Sequence, residues 1–183
     1  AGRVIDRTGK GFRSSPRDAL INDSVEDLHL GKAFGFHRAG DNIGAVIGPL
    51  IGLLLLSTLN DNVRKVAVWA LIPAVLSAIA TFFVKEIKST KKDLINFQKH
   101  PLSKKVKRDI ATLAFIQLTN IPVALLLLRL GDIGFSVSQV VICYMLLSAV
   151  AAVAAYPAGH MSDKHGARVV YQIGLIAFAI SYL

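Results

Sequence analysis

GDNIGAVIGPLIG, residues 40–52, places Gly40, Gly44, Gly48 and Gly52 at four-residue steps and runs directly into the leucine tract 53–56. At about 100° per residue these glycines share one narrow face of a helix, where missing side chains let another backbone come close in lipid. Glycine weakens an isolated helix, so the ladder predicts a seam between helices in which close contact offsets that cost. Pro49, inside the ladder, belongs to the same face-forming stretch.

Working outward, the chain is 53% hydrophobic and only 18% charged, with a mean hydropathy of +0.52. That is more apolar than an ordinary soluble domain, and lipid is the expected solvent. Apolar tracts fall at residues 43–59, 66–84, 110–128, 137–159 and 169–183, most of them near the ~20 residues that a spanning helix needs. The expected fold class is all-α, a polytopic membrane protein. The first tract covers about 26 Å of helix, so its helix is expected to continue back through Asp41 and Arg38 toward Ala33. Residues 1–32, dense in charge, glycine and proline, read as loop by hydropathy alone.

The net charge of +9 raises the possibility of nucleic acid, but its distribution points elsewhere. The basic residues concentrate between apolar tracts and line no aromatic-studded groove, so no nucleic-acid partner is expected and membrane lipids are. Between Lys85 and Asp109 nine Lys or Arg face three acids, which places that connection in the cytoplasm. This fixes the orientation: residues 66–84 enter the cytoplasm, 110–128 leave it, the turn at 129–136 lies outside, and 160–168 return inside. Trp69, Phe82 and Phe83 suit interfacial positions at the ends of their span. The expected location is integral and multi-pass, in the cell membrane (plasma or bacterial inner). Ala1 at the start and an apolar tract running to Leu183 lead us to expect a piece of a longer chain.

Two further stretches carry a resemblance. GHMSDKHGAR, residues 159–168, presents Gly159, Asp163, Lys164, Gly166 and Arg168 in the order of the G-x-x-x-D-R/K-x-G-R/K-R/K signature, and resembles motif A of the major facilitator superfamily. GAVIGPLIG resembles that superfamily's fifth-helix motif C, and GRVIDRTGKGFRSSPRDALIND looks like the fourth helix of one of its branches. The resemblance implies that the chain covers roughly the fourth through ninth of twelve helices. Residues 1–84 would then end an N-terminal helical bundle, 85–109 form the central cytoplasmic loop, and 110–183 begin a C-terminal bundle. Ala167 stands where the family usually carries a basic residue, which implies a weaker cytoplasmic clamp.

The function so implied is secondary active transport of a small-molecule substrate by alternating access. Motif C resembles that of proton-linked exporters, so proton-coupled efflux, an antiporter, is the implied direction, with protons as a partner. Several ionisable residues fit this reading, because a charge at bilayer depth is costly unless it faces a cavity or a partner. His37 and Asp41, spaced i and i+4, lie on the side of the glycine ladder and are candidates for proton coupling or gating; an interfacial charge cluster capping the helix is the plainer alternative. The resemblance projects Arg3, Asp6, Arg7, Arg13, Arg17 and Asp18 into a central cavity suited to an anionic or zwitterionic substrate; a charged exposed loop is the plainer alternative. Gln117 and Asn120, three apart in the tract 110–128 and succeeded by Pro122, either line the pathway or bond neighbouring helices. Asp163 is expected in a tight turn, where its carboxylate suits a helix N-terminus, and the resemblance implies that it locks one conformation.

Enzyme chemistry finds no anchor. The five histidines are scattered and Cys143 stands alone, so no metal site is expected. GKGFRSSP lacks the spacing of a phosphate loop, no nucleophile elbow appears, and no cofactor is expected. The competing readings are a membrane-embedded enzyme using His37 and Asp41 on an anionic lipid-like substrate, or a noncatalytic membrane scaffold.

Overall fold

A computed structural model of the chain describes residues 2–60, 62–83, 103–118 and 121–181, with the side chains of Gly2, Arg3, Asp6 and Arg7 outside that description. Among these residues there is no strand. Eight α-helices succeed one another: α1 (Gly2–Ser24), α2 (Leu30–Thr58), α3 (Val63–Trp69), α4 (Leu71–Ala80), α5 (Lys104–Gln117), α6 (Val123–Asp132), α7 (Val137–His165) and α8 (Ala167–Ile180). Short 3-10 turns at Asp27–His29 and Thr81–Phe83 connect or extend them. The chain divides into two compact units, residues 1–90 with 145–183, and residues 91–144.

The spans Asp27–Thr58, Val63–Phe83 and Val137–His165 are each long and apolar enough to cross a membrane. No apolar side chain is fully buried among the described residues, and Leu54, Leu76, Leu147 and Val153 are all exposed. Outward-facing leucine and valine on spans of this length belong in hydrocarbon, since in lipid the backbone polar groups are satisfied within each helix and no apolar core is required. The protein is an integral, multi-pass, all-α membrane protein.

Three elements differ from expectation. The loop read from hydropathy at residues 1–32 is in large part α1, a helix of 23 residues with Pro16 inside it. Hydropathy averages the two faces of a helix, and α1 separates them: Lys10, Arg13 and Arg17 fall within about 60° of arc, with the exposed Ile5 and Phe12 roughly 110–130° away from its centre. The tract 66–84 belongs to a span that begins at Val63 and is divided between α3 and α4 at Ala70. Pro73 has no N–H to offer the carbonyl of Trp69, which releases the helix one turn earlier. The tract 110–128 likewise breaks, α5 ending at Gln117 and α6 beginning at Val123 with Pro122 as its N-cap. Proline disfavours helical backbone at the residue before it, here Ile121, so Gln117 and Val123 belong to two helices and not to one continuous face. The lysine-rich connection 85–109 lies mostly outside the described residues; its last part, from Lys104, is already helix α5, capped by Ser103, whose hydroxyl accepts from the Val106 N–H.

Candidate functional site

Helix α2 begins at Leu30, three residues before the expected Ala33, and its own N-cap, His29, makes no side-chain cap. The first backbone N–H groups of a helix have no intrahelical acceptor and normally turn to the N-cap side chain. Here α7 supplies the acceptor. The Gly31 N–H donates to Oδ1 of Asp163 at 2.6 Å and the Lys32 N–H donates to Oδ2 at 2.9 Å. Both carboxylate oxygens are thus engaged on the second and third residues of the helix, where the partial positive charge of the helix end favours an anion. A hydrogen bond to a charged group contributes about 1.5–3 kcal/mol, so this pair is a substantial tie between two elements 131 residues apart.

The tie requires the backbones to be close, and glycines on both sides permit it. A Cβ on Gly31 would collide with the carbonyl oxygen of Gly159, and one on Gly159 with the carbonyl oxygen of Gly31. One turn on, a Cβ on Gly35 would lie 2.6 Å from the Ala155 carbonyl oxygen and 3.3 Å from the Tyr156 Cα. As numbering rises on α2 it falls on α7, so the helices cross antiparallel, Gly31 and Gly35 meeting Ala155 and Gly159 through two small-x-x-x-small steps. A groove of about 680 Å³ opens beside the crossing, lined by Leu30, Phe34, Arg38, Ala158 and Ser162 among others.

Asp163 sits in the last turn of α7 and not in the turn before α8, because α7 continues to His165. The turn itself is made by Gly166, whose φ of 86° favours glycine and whose N–H closes on the Ser162 carbonyl at 3.0 Å. Lys164 and Arg168 are exposed and make no ion pair among the described residues. Gly40, Gly44, Gly48 and Gly52 lie on α2 with nothing within 4 Å of where a Cβ would stand.

A second cluster lies further along α2. Nε2 of His37 is 3.4 Å from Oδ2 of Asp41, at ion-pair distance but without hydrogen-bond alignment. The same oxygen is 3.8 Å from Nη1 of Arg17 on α1. Arg17 in turn holds Oδ1 of Asp18 through Nε at 3.1 Å and Nη2 at 3.0 Å. The structure thus brings Arg17, Asp18, His37 and Asp41 together. Arg13 stands one turn before Arg17 and is exposed, and Gln117 is exposed at the end of α5. Asn120 and the side chains of Arg3, Asp6 and Arg7 lie outside the described residues.

Sequence reasoning passed over Gly31 and Gly35, although GKAFG at residues 31–35 shows the same four-residue spacing as the ladder. Placing the helix start at Ala33 left Gly31 outside the helix and hid the signal.

Comparison with known proteins agrees with this architecture. The family model of the Major Facilitator Superfamily matches residues 1–183. An uncharacterized MFS-type transporter of Methanocaldococcus jannaschii is 32% identical over 184 residues, covering 96% of this chain and 46% of that protein. Uncharacterized proteins of Mycobacterium bovis and Mycobacterium tuberculosis are 36% identical over 47 residues, 26% of this chain and 12% of theirs. No solved structure matches. The chain spans under half the length of its archaeal relative, and by the match along its whole length it belongs to the Major Facilitator Superfamily.

Proposed function

We propose that this chain is part of a secondary active transporter that moves a small solute by alternating access, with proton-coupled efflux as its preferred direction. The observation that carries the reading is the Asp163 carboxylate seated on the otherwise uncapped start of α2, over a crossing where glycines bring two backbones into contact. Hydrogen bonds to a helix end form and break without rearranging either helix, so they suit a latch between two bodies that rock. In this reading residues 1–84 belong to the N-terminal bundle, 85–109 to the central cytoplasmic loop and 110–183 to the C-terminal bundle. The latch then joins the two bundles at the cytoplasmic side, where the lysine-rich connection orients both helix ends.

The pathway for solute and protons runs along the charged face of α1 and the facing part of α2. Its proposed lining is Arg3, Asp6, Arg7, Arg13, Arg17, Asp18, His37 and Asp41; Gln117 and Asn120, in the tract 110–128, are separate candidates for contact with the solute. The ladder Gly40–Gly44–Gly48–Gly52 with Pro49 offers a smooth surface to a further helix of the complete transporter. Gly159 gives α2 close access to the latch, and Lys164, Gly166 and Arg168 belong to the end of α7 and the turn that succeeds it. Family membership favours transport over enzyme chemistry.

The test uses the full-length protein in sealed vesicles. Labelled solute should accumulate or leave in response to an imposed pH gradient, and an uncoupler should abolish the effect. Asp163→Ala, at normal expression, should shift the labelling of cysteines placed on the cytoplasmic and outer sides of the pathway toward the inward-open pattern. Unchanged labelling together with unchanged transport would remove the latch from the mechanism.

A further inference from the structure

The guanidinium of Arg17 is anchored on one edge only. Nε and Nη2 are occupied by Asp18 on its own helix, at 3.1 and 3.0 Å. Nη1 points toward Asp41 at 3.8 Å, well beyond the ~2.7–2.9 Å of a formed charge-assisted hydrogen bond. An arginine has five N–H donors in a planar fork, and the outer part of this fork is uncommitted. The side chain is 37% exposed and that of Asp41 50% exposed, so the gap between them is accessible.

The surrounding charge is positive. On α1, Lys10 and Arg13 share the arc of Arg17 and form no ion pair among the described residues. With Lys10 and Arg13 on the arc of Arg17, three cations of α1 stand against the two carboxylates paired with Arg17, Asp18 and Asp41. The ionisable groups that α7 brings to α2 lie at the other contact, against Gly31 and Lys32, and leave this balance unchanged. A planar fork fixed by one carboxylate and loosely opposed by another is arranged to exchange its second partner. The natural replacement for a carboxylate on that edge is another oxyanion.

We propose that Arg17, fixed by Asp18 and facing Asp41, is the anchoring cation of a site for the oxyanion of a small solute, a carboxylate or a phosphate, and that Asp41 is the built-in competitor for it. When the site is empty Arg17 turns to Asp41; when the solute is bound, the solute's oxygens take the outer edge of the fork and Asp41 is released to His37. That the solute is cargo rests on the transport reading, whereas the binding site does not.

Competition makes an unusual prediction, because removing a charged residue from the site should improve binding. The full-length protein in detergent is titrated with inorganic phosphate, with succinate and, as a neutral control, with sorbitol, at matched ionic strength, and thermal stabilisation is read. Phosphate or succinate should stabilise the protein at millimolar concentration and sorbitol should not. Arg17→Gln should abolish the effect, and Arg17→Lys, which keeps the charge but loses the fork, should weaken it. Asp41→Asn should lower the half-saturating concentration about 1.4-fold to fivefold, the range set by an ion pair contributing ~0.2–1 kcal/mol.

If Asp41→Asn weakens anion binding, if Arg17→Gln leaves it intact, or if neither anion stabilises the wild-type protein, the proposal is overturned. Uptake of labelled phosphate or succinate into vesicles separates the two readings. Binding with the expected pattern but no movement across the membrane would keep the site and remove the transporter. Movement of a solute with no anion site would do the reverse.

Discussion

Helix α2 carries two runs of glycine at four-residue spacing, and the fold treats them differently. Gly31 and Gly35 are pressed against α7 so closely that a Cβ at either would collide with its backbone. At Gly40, Gly44, Gly48 and Gly52 an added Cβ would meet no atom of another element within 4 Å. The longer run is the more conspicuous in the sequence, yet within this chain it is the shorter one that contacts α7. Spacing tells that a face can receive another backbone, whereas the partner's position tells whether it does. At the first run the partner is fixed by a second interaction of a different kind, the Asp163 carboxylate on the Gly31 and Lys32 N–H groups. Small residues permit approach; the carboxylate gives the approach a direction.

This contrast can be broken or sharpened by substitution in the full-length protein, with thermal unfolding in detergent as the readout. The largest effect is expected at the crossing: Gly35→Leu should cost about 3 kcal/mol or prevent folding, since the carbonyl of Ala155 cannot retreat as a side chain could. Wild-type stability in that variant would mean that the helices do not cross there. Asp163→Ala should cost about 2–3 kcal/mol by leaving two N–H groups of α2 without an acceptor, and Asp163→Asn, which retains one acceptor oxygen, about half as much. Equal losses for the two variants would show that the charge, and not the pair of hydrogen bonds, makes the tie.

Smaller changes probe the turn and the ladder. Gly166→Ala should cost about 1 kcal/mol because its φ of 86° is unfavourable for a residue with a Cβ. The smallest effect is expected at Gly48→Ala. If a further helix slides on the ladder, as proposed, stability falls by less than about 1 kcal/mol. A gain of that size, the ordinary advantage of alanine over glycine in a helix, would place the ladder against lipid instead.

Much of the fold was legible in the chain. Long apolar runs identify spans because a bilayer leaves the backbone no alternative to a helix. Charge-dense α1 was harder to see. Its polar and apolar residues cancel in any average over a window, and only their angular separation shows the helix. The breaks at Ala70 and after Gln117 were written in Pro73 and Pro122, but hydropathy does not register proline's missing N–H. At the candidate site, the sequence pointed to His37, Asp41 and Asp163, residue types that are costly near a membrane without partners. The His37–Asp41 pair was legible from its spacing, but the distant partners were not, since Arg17 and Asp41 are 24 positions apart and Asp163 lies 131 from Lys32.

By itself the sequence determined that this chain threads a membrane as helices and which charged groups need an explanation. Each of these comes from the cost of exposing polar groups to hydrocarbon, a cost that depends on one segment at a time. Only the tertiary structure decided that α7 caps α2, that Gly31 and Gly35 are the glycines in contact, and that Arg17 shares a carboxylate with His37. Those are relations between distant segments, and the geometry of a hydrogen bond or of a close backbone approach exists only once both have been brought to the same place.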